Sequence, residues 1–106
     1  MPFLATDLKA DDLPEGQARC VELGGVQVGL FREADGYFAI DNICPHRGAP
    51  LSDGFVSDGY VTCPWHQWQF QLKDGTCRNI PGARVTSYPV EVREGVLFVN
   101  VEPAAT

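Results

Sequence analysis

Two short stretches decide how this chain is read: Cys44-Pro45-His46-Arg47-Gly48-Ala49-Pro50-Leu51-Ser52, and downstream of it Cys63-Pro64-Trp65-His66. The chain has only two histidines, and each follows a cysteine within two or three residues. Chance seldom spends every histidine in that way. Each stretch is therefore a compact arm offering one thiolate and one imidazole.

Two thiolates and two imidazoles admit two metal sites. A [2Fe-2S] centre of mixed ligation takes the thiolates on one iron and the imidazoles on the other, bridged by sulfides, and two arms of this composition supply that set from opposite sides. Structural zinc accepts the same four donors in a closed tetrahedron. Zinc sites usually pair like ligands at close range, whereas here each arm mixes them and the first is a tight Cys-x-His, so the spacing favours iron–sulfur. Zinc stays as the rival.

Outward from the arms, the chain reads as strands and turns. Its 106 residues fit one domain spanning 1–106, and 44% hydrophobic residues with 11 glycines suit a small, turn-rich globular core. Residues 17–23 and 26–32 form a hairpin around Gly24-Gly25, with Val26, Val28 and Leu30 on one face. A strand over 37–41 delivers the chain into 42–54, a segment dense in turn formers that carries the first arm. Residues 55–56 and 60–63 flank Ser57-Asp58-Gly59 as a second hairpin leading into the second arm. Trp68, Phe70 and Leu72 alternate with glutamines, which predicts a strand with one dry face. Residues 87–93 pair with 96–101 through Glu94-Gly95, with Tyr88, Val90 and Val92 facing inward on one strand and Leu97, Val99 and Val101 on the other. No long stretch has a helical period.

Charge and composition exclude several roles. A net charge of -6 opposes binding to nucleic acid or to an anionic membrane and favours a partner with a basic docking patch. No stretch approaches the roughly 18 apolar residues of a membrane helix. Met1 to Asp12 lacks the basic and apolar regions of an export signal, so the expected compartment is the cytoplasm, where cysteines serve metals more often than disulfides. No glycine-rich phosphate-binding pattern is present. Cys20 and Cys77 are expected as small buried or half-buried side chains, a disulfide between them being the alternative. Trp68 is expected in the core. Trp65 is expected to shield the site or to form part of a docking surface, and Arg47 to be a solvated loop charge.

The two arms resemble the Cys-x-His…Cys-x-x-His signature of Rieske proteins, including the glycine and the Pro-Leu after the first histidine. The resemblance implies a small all-β fold, an antiparallel β-sandwich with two cluster-binding loops at one tip. It implies one [2Fe-2S] cluster with Cys44 and Cys63 on the inner iron and His46 and His66 on the outer. Pro81, in Ile80-Pro81-Gly82, matches the family's third, proline-containing loop, which screens the cluster. Respiratory Rieske subunits carry a further cysteine in each loop, but Ala49 and Trp65 stand at those places here. They also place a Ser and a Tyr after the second histidine, where this chain has Trp68 and Phe70. Hydrogen bonds to the sulfurs raise the potential, so their loss places this cluster near the bottom of the roughly −150 to +300 mV range of such centres.

The resemblance thus implies a one-electron carrier between a flavin-containing reductase and a terminal oxygenase. The alternative is the small subunit of an assimilatory nitrite reductase, meeting its large subunit. With both histidines used, none remains for an oxygenase iron, so no catalysis is expected of the chain itself. Reduction adds a negative charge to an already acidic chain, and protons on the outer imidazole nitrogens offset it. The expected consequence is a reduction potential that falls as pH rises through the range where those imidazoles titrate. Voltammetry over a wide pH range checks this, and a flat response contradicts it.

Overall fold

The computed structural model describes residues 3–33, 36–44, 48–64 and 68–101. Among them are ten strands and two short 3₁₀ turns, Ala10–Asp12 and Leu51–Asp53, and no α-helix. All the strand pairs are antiparallel. The first sheet has the order β1 (Phe3–Lys9), β10 (Val96–Asn100), β9 (Val90–Arg93). The second runs β2 (Ala18–Leu23), β3 (Val26–Glu33), β4 (Gly36–Asp41), β8 (Ser87–Tyr88). The third is β5 (Phe55–Ser57), β6 (Tyr60–Thr62), β7 (Gln69–Gln71).

The second sheet is the middle layer, and β3 shows why. Val28 and Leu30 point into one core with Leu13, Ala39, Tyr88, Leu97 and Val99, beneath the first sheet. Phe31, on the opposite face of the same strand, points into a second core with Ile40, Cys44, Ala49, Leu51, Val61, Cys63, Phe70, Leu72 and Val85. Successive strand residues face opposite ways, so a strand dry on both sides must be apolar throughout its middle, as residues 28–31 are. Gly29 belongs to this arrangement. A Cβ there would stand 2.7 Å from the Phe31 ring and 2.8 Å from Oδ1 of Asn42.

The hairpin around Gly24-Gly25 forms as read, and both glycines take positive φ, 55° and 81°, which a two-residue turn of this hand demands. The hairpin after β5 turns on Asp58 and Gly59, with Ser57 kept in the strand. Three features differ from the pattern of the sequence. β1 lies in a stretch without a strand signal: it is an edge strand whose register slips between Ala5 and Lys9 and whose buried residue is Thr6, so its alternation is faint. Residues 87–93 do not form one strand, because Pro89 lacks the N–H that a ladder needs. Ser87 and Tyr88 pair with β4, and the chain crosses at Pro89 to pair Val90 with Val99 in the first sheet. Beyond that crossing Val92 is 47% exposed rather than inward. The strand around Phe70 is also shorter than its alternation suggests, since Gln71 accepts from Gly75 N–H at 2.7 Å and starts a turn. Leu72 is buried nonetheless.

Gly54 joins the tail of the first arm to the root of the second. Its backbone is extended, but a Cβ there would stand 2.0 Å from the carbonyl oxygen of Thr62. Gly54→Ala is therefore expected to lower unfolding free energy by about 3 kcal/mol or more, through forced displacement of Thr62. Gly59→Ala, at φ +82° with nothing within 4 Å, is expected to cost about 1 kcal/mol from backbone strain alone. Urea titration of the two variants checks the order.

Candidate metal centre

The first arm is anchored before it begins. Asp41, the last residue of β4, donates its N–H to the Thr86 carbonyl at 2.9 Å and accepts from Thr86 N–H through Oδ2 at 3.1 Å. Its other oxygen accepts the hydroxyl of Tyr88. Burial first, then this bond and the charge of Asp41, push the Tyr88 phenol well above its ordinary range. Asn42 follows, 1% exposed. Its N–H donates to the Gln27 carbonyl at 3.0 Å, its carbonyl accepts Leu51 N–H at 2.7 Å, and its Oδ1 accepts Ser52 N–H at 2.7 Å. Its carboxamide also hydrogen-bonds Cys20. Both ends of the 43–51 segment are thus tied to one residue.

Within that segment Ile43 bridges to Pro50, and Cys44 N–H donates to the Ala49 carbonyl at 2.9 Å. Gly48 N–H returns to the Cys44 carbonyl at 2.8 Å, with φ +73° at Gly48. The second arm closes in the same way, Cys63 N–H donating to the Trp68 carbonyl at 2.8 Å. In each arm the cysteine N–H bonds the carbonyl of the residue on the far side of the loop, Ala49 in the first and Trp68 in the second. Cys44 is 0% exposed and Cys63 2%, and both belong to the same apolar cluster. His46 and His66 lie outside the described residues, as do Arg47 and Trp65.

The loop carrying Pro81 is tied to the exit of the second arm. Arg78 N–H donates to the Gln69 carbonyl at 2.9 Å, and Gln69 N–H donates to Oδ1 of Asn79 at 3.2 Å. The Cys77 thiol donates to the same Oδ1 at 3.2 Å, and Ala83 N–H closes the turn onto Ile80. Pro81 itself is exposed. Trp68 is half-buried and packs on the core around the cysteines, with its ring 6.3 Å from that of Phe70. Ala49 and Phe70 are fully buried, so an apolar wall stands where respiratory relatives are expected to carry a thiol and a hydroxyl.

Cys20 departs from expectation. It is exposed on the edge strand β2, whereas Cys77 is half-buried, and the two form no disulfide. Desolvation raises the Cys20 thiol above its ordinary value more than the Asn42 bond lowers it, with Asp53 and Glu22 adding to the rise. Asp41, Asn42, Gly54 and Asn79 support the arms, and nothing in the sequence around them signals it. A polar residue in a turn-rich segment usually faces water, and only the fold shows that Asn42 does not.

The donor set suits the mixed-ligand cluster. Two thiols converge in one dry core at the bases of two equivalently closed loops, and each loop contains one of the only two histidines. Residues 4–89 match the Rieske [2Fe-2S] domain, and the chain belongs to that family. The family's cofactor is one Rieske cluster held by two cysteines and two histidines. The chain is 31% identical to the ferredoxin component of naphthalene 1,2-dioxygenase/salicylate 5-hydroxylase systems from Ralstonia sp, over 87% of this chain and 89% of that one. It is 38% identical to cholesterol 7-desaturase nvd of Drosophila melanogaster, covering 87% of this chain but 24% of that protein. Other curated relatives are longer still, the chain spanning 16% and 13% of two of them. Among solved structures it resembles a putative NADH-dependent nitrite reductase small subunit from Mycobacterium tuberculosis, with TM-score 0.84 and 36% identity over 92% of this chain and 94% of that one.

The Tyr88–Asp41 bond sets an alkaline limit. An unfolded tyrosine ionises near pH 10 while the folded phenol stays neutral, so the stability it contributes is present below about pH 10 and is lost as pH rises further. Tyr88→Phe is expected to be less stable at neutral pH and to lose less on going from about pH 8 to about pH 11. Urea midpoints across that range check the sign.

Proposed function

We propose that this chain is a one-electron carrier of the Rieske ferredoxin type, a single domain over 1–106 in which Cys44, His46, Cys63 and His66 hold the cluster. One observation carries the reading: both cysteines lie in the same buried apolar cluster, each at the base of a loop closed by the same backbone bond. When bound, the cluster supplies reversible one-electron chemistry. The chain's own residues place the ligands and exclude water. Asn42 fixes the span of the first arm, Gly54 presses that arm's tail against Thr62, and the bonds of Gln69 to Asn79 and Arg78 hold the third loop beside the second arm's exit.

The apolar neighbours also bear on tuning. Ala49 and Phe70 have no hydroxyl or thiol to offer, and a centre with fewer hydrogen-bond donors is harder to reduce, which supports a low potential. The similarity to an oxygenase-system ferredoxin over nearly the full length of both chains supports a flavin-containing reductase as donor and a terminal oxygenase as acceptor. The higher identity to a nitrite reductase small subunit supports a second reading, in which the acceptor is that enzyme's large subunit. No helix among the described residues is long and apolar enough to cross a membrane, and we place the carrier in the cytoplasm. We assign Trp65 to shielding the site or docking a partner, Arg47 to a loop charge, and Pro81 to the loop that screens the ligands.

Purified protein is expected to be red-brown and, after dithionite, to give the EPR signal of a histidine-ligated [2Fe-2S] cluster. Cys44→Ser and Cys63→Ser are expected to abolish that signal, while Cys20→Ser retains it. A colourless, zinc-loaded protein overturns the assignment.

A further inference from the structure

Among the described residues, one side of the third sheet is covered only in part, by the loop that carries Arg78 and Asn79. Val56, Val61 and Phe70 turn toward the core, and the register sets Phe55, Thr62 and Gln69 abreast on the opposite face, with Tyr60 next along β6. A solvent-open hollow of about 370 Å³ is set into that face, lined by Phe55, Thr62, Cys63, Pro64, Gln69 and Asn79. Cys63, nearly buried, thus contributes to the wall of a hollow that a second molecule can enter. Phe55 beside it is 77% exposed, the most exposed large hydrophobic side chain among the described residues. Arg78 stacks its guanidinium 4.6 Å from the centroid of the Tyr60 ring, on the same face. It is exposed, and among the described residues no carboxylate pairs with it, the ion pair found there being Arg93–Glu91.

Charge along the chain sharpens this. Residues 43–85 carry four basic and three acidic side chains, whereas the rest of the chain carries four basic and eleven acidic. The whole negative excess lies outside the segment that forms the arms and the third sheet. Among the described residues of that segment basic and acidic side chains balance, and the Glu33 carboxylate accepts Gly59 N–H at the sheet's edge. The basic contact this face offers a partner is therefore Arg78 itself, the more so because charges beyond a Debye length of about 8 Å are largely screened.

We propose that the outer face of the β5–β6–β7 sheet is a docking surface for a redox-partner protein whose electron-exchanging patch is apolar and rimmed by carboxylates. Phe55 is the apolar contact and Arg78 the ion contact. The proposal rests on the reading of Cys63 as a cluster ligand, since that is what makes contact with this wall useful for electron transfer. An apolar centre with a charged rim, anchored by an aromatic residue and an arginine, is the usual composition of a protein interface. A second copy of this chain suits the face less well, because a two-fold contact sets Arg78 against Arg78.

The test uses the cluster-loaded chain and reduced flavodoxin, an acidic flavoprotein, as the probe. One electron leaves the reduced flavin and enters the oxidised cluster, and bleaching of the cluster's visible absorption gives the rate. The rate is expected to fall as salt is raised, although two acidic proteins judged by net charge alone require the opposite. Arg78→Glu is expected to slow the low-salt rate about tenfold, whereas Arg19→Glu, an equal charge change at an exposed position of β2, leaves it within about twofold. Phe55→Ser is expected to slow it about tenfold at every salt concentration. Without turnover, oxidised flavodoxin is expected to shift the amide resonances of Gln69 and Asn79, and Arg78→Glu to remove those shifts. An unchanged EPR signal in each variant shows that the site is intact.

A rate that rises with salt overturns the proposal. So do equal effects of Arg78→Glu and Arg19→Glu, or a concentration-dependent dimer that Phe55→Ser disperses. A chain that binds no cluster refutes the proposed function, whereas a chain with a normal cluster and any of these results refutes the docking face alone.

Discussion

A buried carboxamide, here 1% exposed, costs a few kcal/mol unless its polar groups are matched, and Asn42 is matched from two other parts of the chain, β2 and residues 51–52. Oδ1 takes Ser52 N–H, the carboxamide also bonds Cys20 on β2, and the backbone carbonyl takes Leu51 N–H. Because Asn42 and Leu51–Ser52 lie on either side of the first arm, these bonds fix the distance the arm has to span. Gly29 makes room for the side chain by having no Cβ of its own. Losing one partner leaves another polar group stranded in the same dry place, so the cluster of bonds holds or fails together.

The middle sheet carries that constraint across the molecule. Asp41 is locked to β8 by both its backbone and its carboxylate, and β8 is continuous through Pro89 with the sheet on the far side. The proline that ends one ladder starts the crossing to the next, and its carbonyl accepts Asn100 N–H at 3.0 Å. Two apolar cores thus share β3 and β4 as a common wall. Displacement of the first arm is resisted by both cores rather than by the loop's own contacts.

Much of this was legible. The loops that begin at Cys44 and Cys63 and the Gly24-Gly25 and Asp58-Gly59 turns each follow from a residue type with a single strong preference, and the strands between them follow from period-2 burial. What stayed hidden was of two kinds. β1 and the crossing at Pro89 depend on which distant strand accepts a partner, and a short edge strand with a buried threonine carries little pattern of its own. Asn42, Gly54 and Asn79 are ordinary turn residues in sequence. Their roles arise from a close approach or a buried bond between segments far apart in the chain, such as the contact of Gly54 with Thr62. Cys20 misled in the opposite sense, since cysteines are so often buried and this one is on an edge.

Respiratory members of the family are expected to brace their two arms with a disulfide, and this chain has a buried alanine at one of its positions. The bracing is done here without a covalent link. Gly54 brings the first arm's tail into contact with the backbone ahead of Cys63, and the third loop grips Gln69 immediately beyond the second arm. Close packing of this sort resists small displacements, because interiors at crystal-like density have little free volume to yield. Among the described residues Cys63 lies in the wall of the hollow on the third sheet's outer face, with Phe55 and Arg78 exposed beside it. Ala49 and Phe70 bring no hydroxyl or thiol to the bases of the arms, and the proposed low potential rests on that.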